Sequence, residues 1–227
     1  MLAKPINVAI VDDHTLFRKT LKNYLSEQRN VQVVIQSPDV PDLLKKLKDF
    51  PVDVVVMDIF MPKLNGYEAA ILVKEAYPHI RILALSMCTD MSLLSDLLDV
   101  GVYSILSKVD EPEELIRAIT CVSEGRIYRS KLLTEVMYWN MQLGIKKPVD
   151  ADNISLRERD KEVIQLLWEE KSNKEIAEHL YLGIRSVEKI RQDLKDKLGV
   201  KSTVGLIKYA INNKIIKVTS SSYSYFY

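Results

Sequence analysis

The stretch Val52-Asp53-Val54-Val55-Val56-Met57-Asp58 decides the fold. Five of its seven residues are apolar, and three are consecutive β-branched valines. Such a run reads as a strand covered on both faces, the condition of strands in parallel sheets. It ends on a carboxylate, and Ile59-Phe60-Met61-Pro62-Lys63-Leu64-Asn65-Gly66 after it is turn chemistry. Open α/β sheets gather their ligands at the carboxyl ends of central strands. Asp58 is therefore the first candidate functional residue, the group this molecule exists to have modified.

Working outward, Ile6–Val11 is a second apolar strand that ends on acids, Asp12 and Asp13. His14–Ser26 has helical spacing, with Leu16, Phe17, Leu21, Tyr24 and Leu25 on one face. The spacing then predicts a strand over Val31–Ile35, a helix over Val40–Phe50, and a helix over Gly66–Tyr77 stopped by Pro78. Ile80–Leu85 reads as a strand ending at Ser86, and Asp90–Val100 as a helix ending at Gly101. Ser104–Ser107 is a short strand before Lys108, and Pro112 opens a helix that buries Leu115, Ile116, Ile119 and Val122. Alternation of this kind predicts an α/β fold, a five-stranded doubly wound parallel sheet over residues 1–124.

In such a sheet all strand carboxyl ends share one edge, so Asp12, Asp13, Asp58, Ser86 and Lys108 should converge. Crowded carboxylates suit a hard divalent cation, typically Mg²⁺. A lysine and a hydroxyl beside them suit phosphoryl oxygens. A carboxylate can itself be the nucleophile in phosphoryl transfer. The cluster therefore reads as a phosphoacceptor site, with Asp58 attacking a phosphoryl donor. A metal-dependent phosphohydrolase on the same acids ranks low, because no acid/base pair or substrate pocket is evident.

The residues Val11-Asp12-Asp13-His14, Met57-Asp58 with Met61-Pro62 and Gly66, Leu85-Ser86-Met87, and Gly101 with Lys108 resemble the receiver domain of two-component response regulators. The resemblance implies phosphorylation of Asp58 by a histidine kinase. It implies Mg²⁺ held by Asp13, Asp58 and the backbone carbonyl of Phe60, with Asp12 assisting. Ser86 and Lys108 would sense the phosphoryl group. Three residues before the lysine the family usually carries Tyr or Phe, which couples phosphorylation to the output face; here that position is Ile105. Tyr103, two residues away, would point to the same side of a strand.

Net charge of +1 hides an asymmetry. Residues 1–124 carry 13 Lys/Arg against 18 Asp/Glu, a balance of −5, while residues 152–227 carry 14 against 11, a balance of +3. Two domains with different partners follow, the second suited to an anionic one. Between them, 125–152 is a basic linker with Arg126, Arg129, Lys131, Lys146 and Lys147. Leu132, Leu133, Val136, Met137, Trp139 and Met141 predict a helix inside it, packed on its own domain, with Trp139 available to an interdomain or dimer contact.

Residues 153–217 read as all-helical. Arg159–Trp168 buries Val163, Ile164, Leu166 and Leu167, and Ser172 with Glu175 forms a capping box. Tyr181-Leu182-Gly183 is a tight turn before a longer helix over Arg185–Leu198, and Thr203–Asn212 is the last helix. Two helices joined by a tight Gly-containing turn are a helix-turn-helix pattern. In the longer helix Val187, Ile190, Leu194 and Leu198 make the core face. Arg185, Lys189 and Gln192, with Glu188 and Asp196, face away, and Arg191 and Lys195 lie on the flank where phosphates would pass.

Ser172-Asn173-Lys174-Glu175-Ile176-Ala177, Ser186-Val187-Glu188, Arg191, Lys197-Leu198-Gly199-Val200-Lys201-Ser202 and Leu206–Ala210 resemble the LuxR-type helix-turn-helix, the output domain of NarL/FixJ-class regulators. The resemblance implies DNA contacts from Lys174, Arg185, Ser186, Glu188, Lys189, Arg191, Gln192 and Lys195. Glu188 stands where Lys is common, Ile190 where His or Tyr is common, and Arg157 where a capping Ser or Thr is common.

The reading is a transcription regulator that binds promoter DNA as a homodimer when phosphorylated, and a phosphoryl acceptor with at most slow self-dephosphorylation rather than an enzyme. The alternative is an atypical regulator whose receiver serves as an interaction module with weak phospho-coupling. Cys88 and Cys121 lack metal-ligand spacing and read as free thiols. No signal peptide and no ~18-residue apolar run is present, so a cytoplasmic location without membrane association is expected. The aromatic tail, 218–227, reads as disordered.

Overall fold

The computed structural model describes residues 4–62, 64–87, 90–143 and 156–216. Five parallel strands form one sheet: β1 (Ile6–Val11), β2 (Val31–Ser37), β3 (Val54–Asp58), β6 (Arg81–Ser86) and β7 (Ser104–Ser107), in the order β2-β1-β3-β6-β7. The valine run is central, as its composition demands. β3 pairs with β1 through Val8↔Val54 to Val11↔Met57 and with β6 through Val54↔Arg81 to Asp58↔Leu85.

The pleat of β3 divides the core. Val54 and Val56 pack with Leu21 and Leu25 of α1 (Thr15–Ser26) and with Leu115, Ile119 and Val122 of α5 (Pro112–Ser123). Val55 and Met57 face the other way, onto Leu43 of α2 (Val40–Lys46), Ala69, Ala70 and Val73 of α3 (Gly66–Ala76), and Leu94, Leu97 and Leu98 of α4 (Met91–Val100). Each fully buried Val or Leu side chain of this kind contributes about 1.5–3 kcal/mol relative to exposure. Two local features differ from the sequence reading. α2 ends at Lys46 rather than at Phe50, because Leu47 closes its last turn and a turn follows over Lys48–Asp49. The turn after Asp58 contains a two-residue antiparallel ladder, β4 (Phe60–Met61) with β5 (Leu64–Asn65).

The linker helix α6 (Lys131–Leu143) packs on β7 and α4 and buries Leu133, Val136 and Met137. It therefore docks on the first domain, and its opposite contacts reach the second. Trp139 is half-buried. The Lys146-Lys147-Pro148 stretch, Cys88 and the tail over 218–227 lie outside the described residues. Cys121 is a buried free thiol, and burial first, with nearby Glu170 and Glu124, pushes it up to about 12. It is inert at neutral pH.

The second domain is α7 (Glu158–Trp168), α8 (Asn173–His179), α9 (Ile184–Leu198) and α10 (Thr203–Asn212). Ser172 caps α8: its Oγ accepts from the Glu175 N–H at 3.2 Å, and a Glu175 carboxylate oxygen accepts from the Ser172 N–H at 2.8 Å. At α7 the missing Ser or Thr cap is offset from the other side. Asp160 accepts both from the Arg157 backbone N–H at 3.3 Å and from its guanidinium at 3.1 Å. In α10 eight of ten residues are buried, because it packs on α7 and α9 and also on α4 and α6 of the first half.

Candidate functional site

The strand-end residues converge as the topology requires. Asp12 follows β1, Asp58 closes β3 and Ser86 closes β6, and all three are buried. Lys108, just past β7, donates from Nζ to Asp12 Oδ2 and to Asp58 Oδ2, both at 2.7 Å. Its backbone N–H donates to the Ser86 carbonyl at 2.8 Å, which fixes the β7 end against β6. Burial works against the ammonium, but hydrogen bonds and charge from Asp12 and Asp58 outweigh it, and the Lys108 pKa is raised. Without this cation two carboxylates would share a buried site, a strongly unfavourable arrangement.

The other oxygen of Asp58, Oδ1, accepts from the Phe60 N–H at 3.0 Å, so the acceptor carboxylate is held at both ends. The turn that aims Phe60 depends on Gly66, whose N–H donates to the Ile59 carbonyl at 3.0 Å. A Cβ on Gly66 would lie 2.5 Å from the Ile59 Cβ and 2.7 Å from its Cα, so only glycine fits. Asp13 is half-buried, and its Oδ1 has no hydrogen bond, although His14 Nδ1 lies 3.1 Å away. Donor atoms of Asp12, Asp13, His14 and Asp58 all lie within 4.8 Å of one another.

Three residues at this edge escaped the sequence reading. The His14 backbone N–H donates to Asp12 Oδ1 at 2.7 Å, and its ring faces Asp13. The Phe17 ring lies 4.7 Å from Lys108 Nζ, a cation–π contact. The Arg18 guanidinium donates to the Asp12 carbonyl. Their one sequence signal is nearness to the acid pair, about one helical turn away where α1 begins; only the fold shows what they touch.

Ile105 does not reach the acids. It is fully buried beside α4 and α6, and its carbonyl accepts from the Ser130 hydroxyl. The expectation that Tyr103 shares its side fails. Tyr103 precedes β7, packs with the α1/α5 cluster and carries Lys74 Nζ 5.3 Å above its ring. It sits at the opposite end of the sheet from the acids, since strands enter there.

On α9 the core face is as the wheel predicts: Val187, Ile190, Leu194 and Leu198 are buried. Arg185, Ser186, Glu188, Lys189 and Gln192 are exposed, and so is Lys174 on α8. Gln192 Nε2 donates to Asp196 Oδ1 at 2.8 Å. The flank is different. Arg191 turns inward, donating to Asn173 Oδ1 and, at 2.8 Å, to Thr203 Oγ1. Burial first, then Arg81 of the first domain, lowers its pKa against the pull of Tyr103 and Glu188. Lys195 is half-buried, and desolvation followed by Arg191 lowers its pKa.

The two halves are bolted together. Lys208 of α10 donates to Ser95 Oγ at 2.6 Å, the Ser95 carbonyl at 3.2 Å and Asp99 Oδ2 at 2.7 Å. Ser95 in turn donates to Asn140 Oδ1 of α6 at 2.9 Å. Ser202 Oγ donates to the Leu98 carbonyl at 3.2 Å. On the other side the Arg129 N–H donates to Glu170 Oε1 at 2.6 Å, and its guanidinium lies 5.1 Å from the Trp168 ring centre.

These features define a class: a doubly wound module with an acid–lysine edge, joined to a helix-turn-helix module. Comparison with known proteins agrees. Residues 8–120 match the response regulator receiver domain, and residues 154–210 match the bacterial regulatory proteins of the luxR family. The chain belongs to the two-component response regulators of the NarL/FixJ class, with a receiver and a DNA-binding LuxR-type domain. It is 29% identical over 230 residues to the transcriptional regulatory protein DegU of Brevibacillus brevis, covering 94% of this chain and 96% of that one. It is 29% identical over 217 residues to the oxygen regulatory protein NreC of Staphylococcus aureus, covering 93% and 100%. The response regulator RcsB of Salmonella typhimurium superposes with a TM-score of 0.57 at 24% identity, over 91% of this chain and 98% of that one, and shares the fold. No described helix is long and apolar enough to cross a membrane.

Proposed function

We propose that Asp58 accepts a phosphoryl group from a histidine kinase and that this controls binding of promoter DNA by α9. The observation that carries the reading is the Lys108 ammonium held 2.7 Å from both Asp12 and Asp58 at the carboxyl edge of the sheet. An Asp58 carboxylate oxygen attacks phosphorus as the bond to the donor nitrogen breaks, and that nitrogen leaves with the electron pair. Phe60 N–H and Lys108 aim the carboxylate, and Lys108 is placed to follow the charge onto the phosphoryl oxygens. Ser86 lies at the same edge and supplies a hydroxyl for one of them.

The acids suit a hard cation: oxygen donors crowd within 4.8 Å, and Asp13 Oδ1 is buried without a hydrogen bond. Asp12, Asp13, Asp58 and the Phe60 carbonyl would hold Mg²⁺, which supplies charge neutralisation when bound. The chain acts as a phosphoryl acceptor, not as a catalyst on other substrates. Incubation with acetyl phosphate and Mg²⁺ should add one phosphoryl group by intact mass, and Asp58→Asn should add none. Equal labelling of both proteins overturns the assignment.

For DNA, Arg185, Lys189 and Gln192 present donors to base edges and Glu188 an acceptor suited to cytosine. Recognition by one helix spans few base pairs, so a homodimer reading two half-sites is the expected binding form. Phosphorylation would act by releasing α10 from α4 and α6. One observation favours the weakly coupled alternative: Ile105 is fully buried, at the position where the receiver family usually carries Tyr or Phe. Size-exclusion chromatography with beryllofluoride separates the two readings. A phosphorylation switch predicts an earlier-eluting dimer, and an unchanged profile favours the interaction module.

A further inference from the structure

A cleft of about 690 Å³ opens between the two domains, at the end of the sheet opposite the acids. Tyr67, Lys74 and Tyr103 line it from the receiver, and Lys195, Lys201 and Thr203 line it from the helical domain. Lys74 Nζ donates to the Ile80 carbonyl at 2.8 Å and lies 5.3 Å from the Tyr103 ring centre, which leaves two of its three N–H donors. Arg81 and Arg191 stand behind Lys74 and Lys195, near enough to perturb them. Among the described residues none of these four cations makes an ion pair, although fourteen other Lys, Arg and His contacts with acids are formed within 4.0 Å.

The acids nearby do not supply the missing charge. Asp99 lines the cleft but is taken by Lys208. Glu75 lines it from an exposed position. Glu188 and Asp196 are exposed on α9 and only partly offset Arg191 and Lys195. Desolvation, Arg81 and Lys195 together bring Lys74 down to about 8. Half-buried like charges gathered at one interface are unfavourable unless a counter-charge satisfies them. The cleft has the room for one.

We infer that this interdomain cleft binds a small anion carrying two or more phosphoryl groups, clamped between Lys74 of the receiver and Lys195 of the helical domain. The two lysines belong to different domains, so the ligand ties the domains together. It also occupies the flank of α9 that DNA phosphates would need, so ligand and DNA oppose each other. The site uses neither the acid cluster nor Asp58 and stands apart from the phosphoacceptor reading.

Inorganic pyrophosphate is the probe, titrated calorimetrically into the full-length protein in EDTA at constant ionic strength. Wild type and Asp58→Asn should bind it equally, with orthophosphate about tenfold weaker or more. Lys74→Gln and Lys195→Ala should each weaken pyrophosphate by about tenfold or more, with Lys45→Ala, exposed on α2, unchanged. Circular dichroism checks that each variant is folded. The inference is overturned if wild type gives no binding up to about 10 mM, if neither lysine variant weakens it, or if Asp58→Asn abolishes it. Loss in Lys195→Ala alone also overturns it, because the anion then sits on α9 and not across the cleft.

Discussion

Lys108 and Lys74 occupy opposite ends of one sheet and differ in a single respect. Lys108 has two carboxylates at 2.7 Å; Lys74 has a backbone carbonyl, a tyrosine ring and other cations. Burial alone disfavours both ammonium groups. The partners reverse the outcome, raising one pKa and bringing the other down to about 8. Buried charge is thus stabilising or destabilising according to what faces it, and this chain keeps one of each, at the edge that gathers the acids and at the edge that meets the second domain.

The largest break in that comparison is Lys108→Ala. It strands Asp12 and Asp58 as a buried, uncompensated pair, and urea unfolding should show a loss of about 3–5 kcal/mol. Added Mg²⁺ should restore part of it by mass action. Gly66→Ala drives a Cβ into the Ile59 backbone and displaces the turn that holds Phe60 against Asp58. Overpacking of this kind costs about 1–3 kcal/mol. Acetyl phosphate labelling should slow in the same variant.

Lys208→Ala removes one ion pair, to a half-exposed Asp99, together with the bonds to Ser95. The expected stability change is only about 1 kcal/mol. Its sharper reading is geometric: the domains should part, seen as a larger hydrodynamic radius and faster proteolysis between residues 143 and 158. The smallest effect sharpens the lysine comparison itself. The Lys74 pKa is depressed in the fold, so its penalty is complete below pH 8 and fades as pH rises toward the unfolded value near 10.5. Stability should therefore gain somewhat less than about 1 kcal/mol between pH 7 and 8.5, at about 1.4 kcal/mol per pKa unit. Lys74→Met should flatten that slope. Lys108, whose pKa is raised, contributes stability that persists through this window, so its removal lowers the curve without tilting it there.

Much of this was legible in the chain. Val54–Met57 is apolar at every position because both faces of β3 are covered, and strand-end acids converge because parallel strands share an edge. Val187, Ile190, Leu194 and Leu198 announced the buried face of α9. Other features were hidden for physical reasons. Phe17 and Arg18 look like ordinary helix residues until the start of α1 is placed against Asp12 and Lys108. Tyr103 misled because period-two reasoning was carried one residue past the start of β7. Arg191 read as a phosphate contact, since a helical wheel cannot see that a second domain lies alongside. The closed docking of α10 came from no local pattern, only from tertiary contact.

β7 is the last strand of the sheet and pairs on one side only, with β6. Its open side is covered by the chain that follows α5: Ser104 Oγ donates to the Tyr128 carbonyl at 2.7 Å, Ser130 Oγ to the Ile105 carbonyl, and α6 lies across them. Uncovered edges invite pairing with other chains. A receiver fragment cut at Glu124 would bare that strand and should self-associate, whereas one cut after Leu143 keeps its own lid. Expression boundaries for this protein are therefore set by hydrogen bonds on the flank of β7, nineteen residues beyond the point where the α/β pattern stops.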